Sequence, residues 1–414
     1  MASIFDFSSI KSVLRQRNFR IYEFGNVISL VGMWAQRIAV GWLAWTMTHS
    51  GTWLGVIAFA DLFPTIILTP LAGILADRFD RLRMLVIFQG LAMVQAVALC
   101  ALTVLDLIDI WSLLGWTIFL GTSTAFSAGI RLAVIPNLVE RKHLTSAIAV
   151  NSAAFNIARF AGPAVGGVTL SLWDASAAFA FNAVSFLFFL AALLQIRLVE
   201  WEPKRQSRGS LFSDAAEALR YVRSHRGIGP MLLLITALAF SVKPFLELLP
   251  GISDAVFNRG PQGLAQLAAA AGFGAVSAAL WLAKRGTIVG LTHVTVASIF
   301  VSGAALLAFV ATDMFWLALP FASIAGAAMS VCGNGTQTVM QSAVDGAMRG
   351  RVMSLYAVTF RGGPALGAVF MGYLSDYIGL RLSLATGGVF CFVAGVWIAS
   401  QTAAIATAIE GNPE

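Results

Sequence analysis

Ionisable side chains stand inside long apolar stretches of this sequence, where each of them needs a physical reason. On an insertion scale, such a group in the middle of a membrane helix costs roughly 2.5–3.5 kcal/mol. These groups are therefore expected to pair with one another, to face a polar cavity or to take part in proton movement. They are Glu23, Arg37, Asp61, Arg131, Arg159, Lys243, Glu247 and Arg361.

Arg37 and Asp61 occupy similar depths in the first two apolar segments, because an α-helix rises about 1.5 Å per residue. Opposite charges at one depth would offset each other's desolvation. One interpretation is a structural ion pair that locks two neighbouring helices. The other is a proton-coupling site, because moving Arg37 away from Asp61 would favour the neutral form of the acid.

Lys243 and Glu247 are spaced four residues apart in the seventh apolar segment, with Pro244 between them. That spacing places both side chains on one helical face. Proline removes a backbone donor, so a kink is expected at this point. The two charges could face a polar cavity, or they could form an intrahelical pair that satisfies itself.

The composition makes the lipid bilayer the solvent of this chain. Of its 414 residues, 58% are hydrophobic and 11% are charged, and the mean hydropathy is +0.82. A membrane helix needs about 20 apolar residues, and at roughly 30 residues per helix plus turn this length predicts an all-α polytopic membrane protein with twelve transmembrane helices. The three cysteines lie in apolar runs without metal-ligand spacing, and no phosphate-binding loop is present. No metal and no cofactor are therefore expected.

The basic residues sort to one side of the predicted membrane. Only Arg259 and Arg381 fall on the other side, apart from the arginines and the lysine inside the spans. By the positive-inside rule, both termini are predicted to be cytoplasmic. This sorting also argues against nucleic acid as the partner that explains the net charge of +7. The predicted segments are an N-terminal tail (1–19), a six-helix bundle (20–197), a linker (198–227), a second six-helix bundle (228–402) and a C-terminal tail (403–414).

The stretch from Gly73 to Arg81 places acids and arginines in a short turn between two apolar segments. Its pattern G-x-L-A-D-R-x-x-R resembles the loop between the second and third helices of the major facilitator superfamily. This resemblance implies two pseudo-symmetric six-helix bundles, with a conformational latch formed by Gly73, Asp77, Arg78 and Arg81. A fourth-helix arginine is implicated in proton transfer in that superfamily, and Arg131 is the matching candidate. Snorkelling of Arg131 to the membrane surface is the alternative.

A Gly-Pro element occurs in the fifth span and again in the eleventh, which indicates an internal repeat. The first copy comprises Gly162, Pro163, Gly166 and Gly167, and the second comprises Gly363 and Pro364. The first copy resembles the fifth-helix motif of exporters, in the enterobactin-exporter-like and drug-proton antiporter branches of the superfamily. Both elements are predicted hinges. Arg159 and Arg361 flank them and could face the cavity, where they would favour anionic substrates, or could bond to carbonyls that the prolines release.

The predicted linker contains an amphipathic helix, with Leu211, Ala215, Leu219 and Val222 at helical spacing. It could lie on anionic lipid or act as a passive connector.

The resemblance implies a secondary active transporter in a bacterial inner membrane, working as a monomer by alternating access. Its partners would be a small-molecule substrate, protons and the lipid bilayer. The fifth-helix element favours proton-coupled export of a small amphiphilic molecule such as a siderophore or a drug. The alternatives are a facilitator for uptake and a lipid translocator without proton coupling. An intramembrane enzyme would need a compact polar or metal constellation, which the spacing does not show.

Overall fold

The computed structural model describes residues 7–196, 211–346 and 348–410, and the placement of side chains 7–10, 69–70, 72–74, 76–78 and 211–215 lies outside this description. Within the described residues the regular structure is helical. The α-helices are α1 (Phe7–Arg15), α2 (Arg17–Thr48), α3 (Gly51–Arg78), α4 (Arg81–Val104), α5 (Ile110–Val134), α6 (Leu144–Leu172), α7 (Ala175–Leu194), α8 (Leu211–Ser224), α9 (Ile228–Ser241), α10 (Phe245–Gly251), α11 (Gly260–Arg285), α12 (Leu291–Ala311), α13 (Phe315–Ala343), α14 (Arg349–Ile378), α15 (Leu380–Ala399) and α16 (Thr402–Glu410). Short 3₁₀ turns at Ile135–Asn137 and Arg141–His143 join α5 to α6, and a π-helical turn at Ile252–Val256 follows α10.

The described part of the chain contains ten helical segments that are long and apolar enough to cross a membrane. They coincide with ten of the twelve predicted spans. The seventh predicted span is built from α9, α10 and the π-helical turn. The remaining two predicted spans coincide with α6 and α14, which have 29 and 30 residues and each contain an internal proline. The protein is therefore an all-α, multi-pass membrane protein.

Aspartates in the loops cap the N-termini of several of these helices. The Asp109 carboxylate accepts a hydrogen bond from the Ser112 backbone at 2.9 Å, and the Ser112 hydroxyl accepts one from the Asp109 backbone at 3.0 Å. Asp174 and Asp80 cap α7 and α4 in the same way, through Ala177 and Arg83. These caps satisfy backbone donors that a helix leaves unpaired at its N-terminus. Hydrogen bonds from Ser112 accordingly lower the pKa of Asp109.

The chain divides into two units. The first comprises Met1–His49 and Ala60–Gln206, and the second comprises Ser50–Phe59 and Ser207–Glu414. Ser50–Phe59, which includes the start of α3, thus groups with the second unit, although the sequence predicts one bundle over 20–197. The cause is close packing: a Cβ on Gly55 would lie 2.3 Å from the Ala368 carbonyl oxygen.

The same pattern of helix packing occurs in each unit. In the first, α2 packs against α6 and α7, and α4 packs against α5 and α7. In the second, α9 packs against α14 and α15, and α12 packs against α13 and α15. Each helix of one set corresponds in chain order to a helix of the other, which is the pseudo-symmetry that the repeated Gly-Pro element predicts.

Both predicted tails are partly helical, as α1 and α16 show. In the second unit, α16 is fixed by Glu410, whose carboxylate accepts hydrogen bonds from the backbone of Gly290 at 2.6 Å and of Thr292 at 2.7 Å. The acid thereby caps the start of α12.

The linker helix α8 is docked on its own unit. The Tyr221 hydroxyl donates to the Asp345 carboxylate at 3.1 Å, and Glu217 pairs with Arg351 at 3.0 Å. Val222 is buried, whereas Leu219 of the same predicted apolar face is 41% exposed. Of these two residues of the predicted apolar face, only Val222 is therefore turned toward the protein interior. The side chains of Leu211 and Ala215, and the basic residues of 197–210, lie outside the described residues.

Candidate functional site

The structure brings Arg37 and Asp61 together, as their depths predict. Arg37 Nη2 on α2 lies 3.5 Å from Asp61 Oδ2 on α3, and their side chains are 28% and 25% exposed. Because the pair joins two different helices, a relative movement of these helices would change its geometry. Partial exposure also leaves the pair less desolvated than a fully buried one.

An aromatic side chain connects this ion pair to Arg159. The Arg37 guanidinium lies 5.4 Å from the centroid of Trp34, and the Arg159 guanidinium lies 5.9 Å from the same ring. Phe155 contacts the ring edge-on at 6.3 Å. Two guanidinium groups therefore lie against one indole ring, in a cation–π arrangement.

Gly162 and Gly166 position Arg159 by letting α6 approach α2. A Cβ on Gly162 would lie 2.3 Å from Trp34 Cβ, and one on Gly166 would lie 2.6 Å from the Ala35 carbonyl oxygen. Pro163 and Gly167 are buried in the same crossing. The sequence predicts a hinge here, and the structure shows close helix contact, whereas bending at this point stays a prediction.

Arg131 is held inside the first unit instead of reaching toward the surface. Its guanidinium donates to Asn26 Oδ1 at 2.8 Å, to Gln89 Oε1 at 2.7 Å and to Ser29 Oγ at 3.5 Å. It also lies 4.8 Å from the centroid of the Phe189 ring. Snorkelling is therefore wrong for Arg131, because uncharged amide oxygens on α2 and α4 supply its partners.

Glu23 lies beside this network, three residues after Arg20 on α2. Its side chain is 5% exposed. A signal was available, because Glu23, Asn26 and Ser29 follow one another at intervals of three residues and so form a polar stripe along α2.

A further buried polar group escaped the sequence analysis because its members are uncharged. Gln36 Nε2 donates to Gln95 Oε1 at 2.8 Å, and Asn182 Nδ2 donates to Gln36 Oε1 at 2.7 Å. These amides tie α2, α4 and α7 together in the first unit.

In the second unit, the helix breaks at Lys243 and Pro244, between α9 and α10. The break confirms the predicted kink and corrects the prediction that Lys243 and Glu247 share one continuous helical face. Lys243 Nζ donates to the Phe360 carbonyl at 3.4 Å and lies 3.0 Å from the centroid of the Phe360 ring. Glu247 is half-buried in the first turn of α10.

The second Gly-Pro element lies where α14 meets α9. A Cβ on Gly363 would lie 2.6 Å from Ala239 Cβ. Pro364 is buried inside α14. The side chain of Arg361 is exposed on α14.

The predicted turn from Gly73 to Arg81 is mostly helical. Gly73, Asp77 and Arg78 belong to the end of α3, and their side chains lie outside the described part of the chain. Arg81 begins α4, and its guanidinium donates to the Ala133 carbonyl at 3.0 Å, at the end of α5. Arg81 thus joins two helices of the first unit, and the latch as a whole stays a prediction.

Comparison with known proteins decides the family to which these helices and buried charges belong. Residues 8–409 match the family described as transmembrane secretion effector. The chain belongs to this family of major facilitator superfamily transporters. Its members are membrane transporters and not enzymes.

The staphyloferrin A transporter of Staphylococcus aureus is 28% identical over 365 residues, covering 87% of this chain and 90% of the relative. The enterobactin exporter EntS of Escherichia coli is 24% identical over 394 residues, covering 91% and 90%. Among solved structures, a bacterial homolog to the human lysosomal transporter Spinster, inward-facing and unoccupied, has a TM-score of 0.75 at 16% identity and covers 95% of this chain and 98% of that chain. The last similarity concerns the fold alone.

Proposed function

We propose that this transporter is a proton-coupled exporter of a small amphiphilic molecule, a siderophore or a drug, and that it works by alternating access. The observation that carries the proposal is the Arg37–Asp61 pair, which joins two membrane helices at 3.5 Å. Because charges inside a membrane helix are costly, they mark the transport path or its coupling. An interhelical pair can separate and re-form as the helices move.

The chemistry around Trp34 supports an anionic substrate. Arg37 and Arg159 both lie against this ring. The names of the relatives point to siderophores in two cases. An acidic siderophore is therefore the preferred substrate class over a cationic drug.

Asp61 is the preferred coupling acid between the two acids of the predicted pairs. Its partner Arg37 is on another helix, so their distance can differ between conformations, whereas Glu247 and Lys243 are near neighbours in the chain. We expect Asp61→Asn to abolish dependence on the proton gradient and Glu247→Gln to alter mainly substrate affinity.

The proposed setting is a bacterial inner membrane, with both termini cytoplasmic and the protein a monomer. Cysteine at position 107 should be labelled by an impermeant maleimide added to intact cells, and cysteine at position 204 should not. Labelling at 204 alone, or equal labelling at both positions, would contradict this orientation.

The latch at Asp77 is part of the same proposal. Removing its charge with Asp77→Asn should shift the conformational balance and slow transport, while insertion and folding stay intact. Unchanged transport rates and unchanged cysteine accessibility in this variant would remove the latch from the mechanism.

The central test uses inverted membrane vesicles with and without an imposed proton gradient. The probes are staphyloferrin A, enterobactin and the cationic dye ethidium, and Asp61→Asn is the matched control. Accumulation of a siderophore that requires the gradient and is lost in Asp61→Asn supports the proposal. Movement that follows only the probe's own gradient would identify a facilitator, and ethidium as the only transported probe would place the protein among drug exporters.

A further inference from the structure

The ring of His225 caps the start of the seventh membrane helix. Its Nδ1 atom accepts a hydrogen bond from the Gly227 backbone at 3.1 Å and another from the Ile228 backbone at 3.2 Å. Both residues are buried at the beginning of α9, and Pro230 in the same turn has no backbone donor. The histidine ring therefore supplies the acceptor for backbone groups that a helix leaves unpaired at its N-terminus.

The same histidine also ends the linker helix α8. Its backbone N–H donates to the Tyr221 carbonyl at 3.0 Å, and the centroids of the two rings lie 6.0 Å apart. Gly229 in the first turn of α9 comes close to α8, because a Cβ there would lie 3.0 Å from the Val222 carbonyl oxygen. His225 is thus the joint at which α8 leads directly into α9.

Other parts of the second unit contact this joint. A Cβ on Gly227 would lie 2.5 Å from Ile409 Cγ1, so the C-terminal helix α16 packs against the start of α9. The Tyr221 hydroxyl donates to the Asp345 carboxylate at 3.1 Å and accepts from the Asp345 backbone at 3.3 Å. The joint at His225 therefore connects α9 with the linker helix, with α16 and with the turn before α14.

The charge of the imidazole decides whether this cap can exist. A neutral imidazole with its proton on Nε2 accepts hydrogen bonds at Nδ1, whereas an imidazolium has donors at both nitrogens. Histidine is the side chain that changes charge between about pH 5 and about pH 8. Protonation of the half-buried His225 ring would place an N–H group against two backbone N–H groups. It would also add positive charge at the positive end of a helix dipole.

The acids around the joint are engaged with other partners. Glu217 pairs with Arg351 at 3.0 Å. The Asp345 carboxylate accepts from Tyr221, and Glu410 accepts from the backbone at the start of α12. The charged and titratable groups on the elements packed against the joint are Glu217, Tyr221, Arg223, Arg226, His293, Asp345, Arg349, Arg351 and Glu410.

We propose that His225 is an acid-sensitive switch between the linker helix and the seventh membrane helix. With a neutral ring, α8 and α9 form one capped joint. When a proton from water binds Nδ1, the new N–H bond uses the lone pair that accepted from Gly227 and Ile228, and the first turn of α9 is released from the ring. The placement of this switch in the cytoplasm rests on the proposed orientation, whereas the switch itself does not depend on a substrate.

The position of α9 explains how such a release would affect transport. This helix has only 14 residues, and its other end is the break at Lys243 and Pro244. Without the His225 cap, α9 would be held less firmly at both of its ends. Alternating access needs each bundle to move as a largely rigid body. We therefore expect acid on the linker side of the membrane to slow transport.

The test is hydrogen–deuterium exchange of the full-length protein in lipid nanodiscs, resolved at the amides of Gly227 and Ile228. Exchange is compared with that of the unfolded chain at the same pH, which removes the intrinsic pH dependence of exchange. From about pH 8 to about pH 5, the range over which histidine changes charge, protection of these amides in the wild type should fall about tenfold. Unchanged protection across this range would overturn the proposal.

His225→Asn is the matched variant, because its amide oxygen takes the place of Nδ1 and accepts hydrogen bonds at every pH. It should keep both amides protected throughout the range. His225→Phe keeps a ring beside Tyr221 but has no acceptor, so protection should be low and independent of pH. The Asn variant is sufficient by itself if the Phe variant does not fold. A loss of protection in acid that persists in His225→Asn would contradict the assignment.

Two other histidines serve as controls. His49→Asn removes a histidine from the end of α2, at a φ of 47° that asparagine also accepts, and should keep the wild-type pH dependence. His293→Asn tests the neighbouring cap, because His293 interacts electrostatically with Glu410. If the pH dependence disappeared in His293→Asn and stayed in His225→Asn, the switch would belong to the Glu410 cap.

Transport of staphyloferrin A into inverted vesicles measures the consequence of the switch. In the proposed orientation the medium sets the pH on the linker side, and His225→Asn under the same gradient controls for the driving force. Acidifying the medium should slow the wild type and not this variant, and equal slowing of both would refute a role in regulation. Absence of transport of every probe would end the proposed function and leave the exchange result intact.

Discussion

The crossing of α6 over α2 and the crossing of α14 over α9 are equivalent places in the two units, but they are built differently. In the first unit α2 is one continuous helix of 32 residues, and the arginines near the crossing contact Trp34. In the second unit the corresponding helix ends at Ser241 and restarts at Phe245, with Lys243 placed on Phe360. Both crossings have close glycine contacts, but their charged side chains have different partners.

This difference suggests a division of labour between similar frameworks. A continuous helix holds the charged residues Glu23 and Arg37 at a fixed spacing along its length. A broken helix exposes backbone groups and directs Lys243 to a carbonyl and a ring. We therefore expect charge substitutions in the first unit to affect coupling, and substitution of Lys243 in the second unit to affect local stability.

The shared feature predicts the largest effects. Gly162→Leu and Gly367→Leu should each destabilise the protein by about 3 kcal/mol or more, because overpacking at a rigid contact shifts the backbone. A Cβ on Gly367 would already lie 2.1 Å from the Phe240 carbonyl oxygen. The measurement is the temperature at which detergent-solubilised protein loses its monodisperse peak.

Gly115→Leu is the matched control for these variants, since a Cβ there meets no atom within 4 Å. It should change stability by less than about 0.5 kcal/mol. If Gly162→Leu and Gly115→Leu had the same melting temperature, close contact at the crossing would not contribute to stability.

Arg131→Met should have the next largest effect. It tests whether a charge substitution in the first unit changes coupling as well as stability. It leaves the oxygens of Asn26 and Gln89 without their charged donor, at a cost of about 2–3 kcal/mol. The expected result is a lower melting temperature together with altered response to the proton gradient. Asn26→Asp, which offers Arg131 a charged acceptor, should instead hold the guanidinium in place and slow the pH response.

Lys243→Met should lower stability by about 0.5–2 kcal/mol through loss of the contact with the Phe360 ring. Lys243→Arg keeps the cation and serves as the control. Thermal melting of both variants in the same lipid tests this, and equal melting of the Met variant and wild type would show that the ring contact contributes nothing.

Glu410→Gln should have the smallest effect, about 0.5–1 kcal/mol, as expected for loss of a charged helix cap. Burial alone would raise the pKa of Glu410, but hydrogen bonds from Thr292 and Gly290 and the nearby His293 together lower it. A lowered pKa means that the stabilisation is present above the unfolded pKa of about 4.3 and is lost as the pH falls through the folded value.

The wild type and Glu410→Gln should therefore differ in melting temperature at pH 7 and converge toward pH 3. Asp106→Asn is the control, because Asp106 lies in an exposed turn at a φ of 54° that asparagine also accepts. A constant difference across this pH range would contradict a role for the ionised cap.

Several features of this protein were determined by the sequence alone, because they depend on local properties of the chain. Hydropathy located the membrane helices, since each span must satisfy its own backbone whatever its neighbours are. Pro244 located the break in the seventh span, because a proline cannot donate the helical hydrogen bond. The repeated Gly-Pro element marked two glycine-containing segments that are in close helix contact in the structure, while their role as hinges stays a prediction.

Only the tertiary structure decided which polar groups meet. The partners of Arg131 come from two other helices, with Asn26 and Ser29 on α2 and Gln89 on α4, and no spacing rule connects these helices to Arg131. The burial of Glu23 beside Arg131 could not be predicted either, because a helix turns about 100° per residue and a small error in its rotation would turn the side chain toward lipid. Local chemistry selects the helices, and the packing of distant helices decides which of their charges are paired.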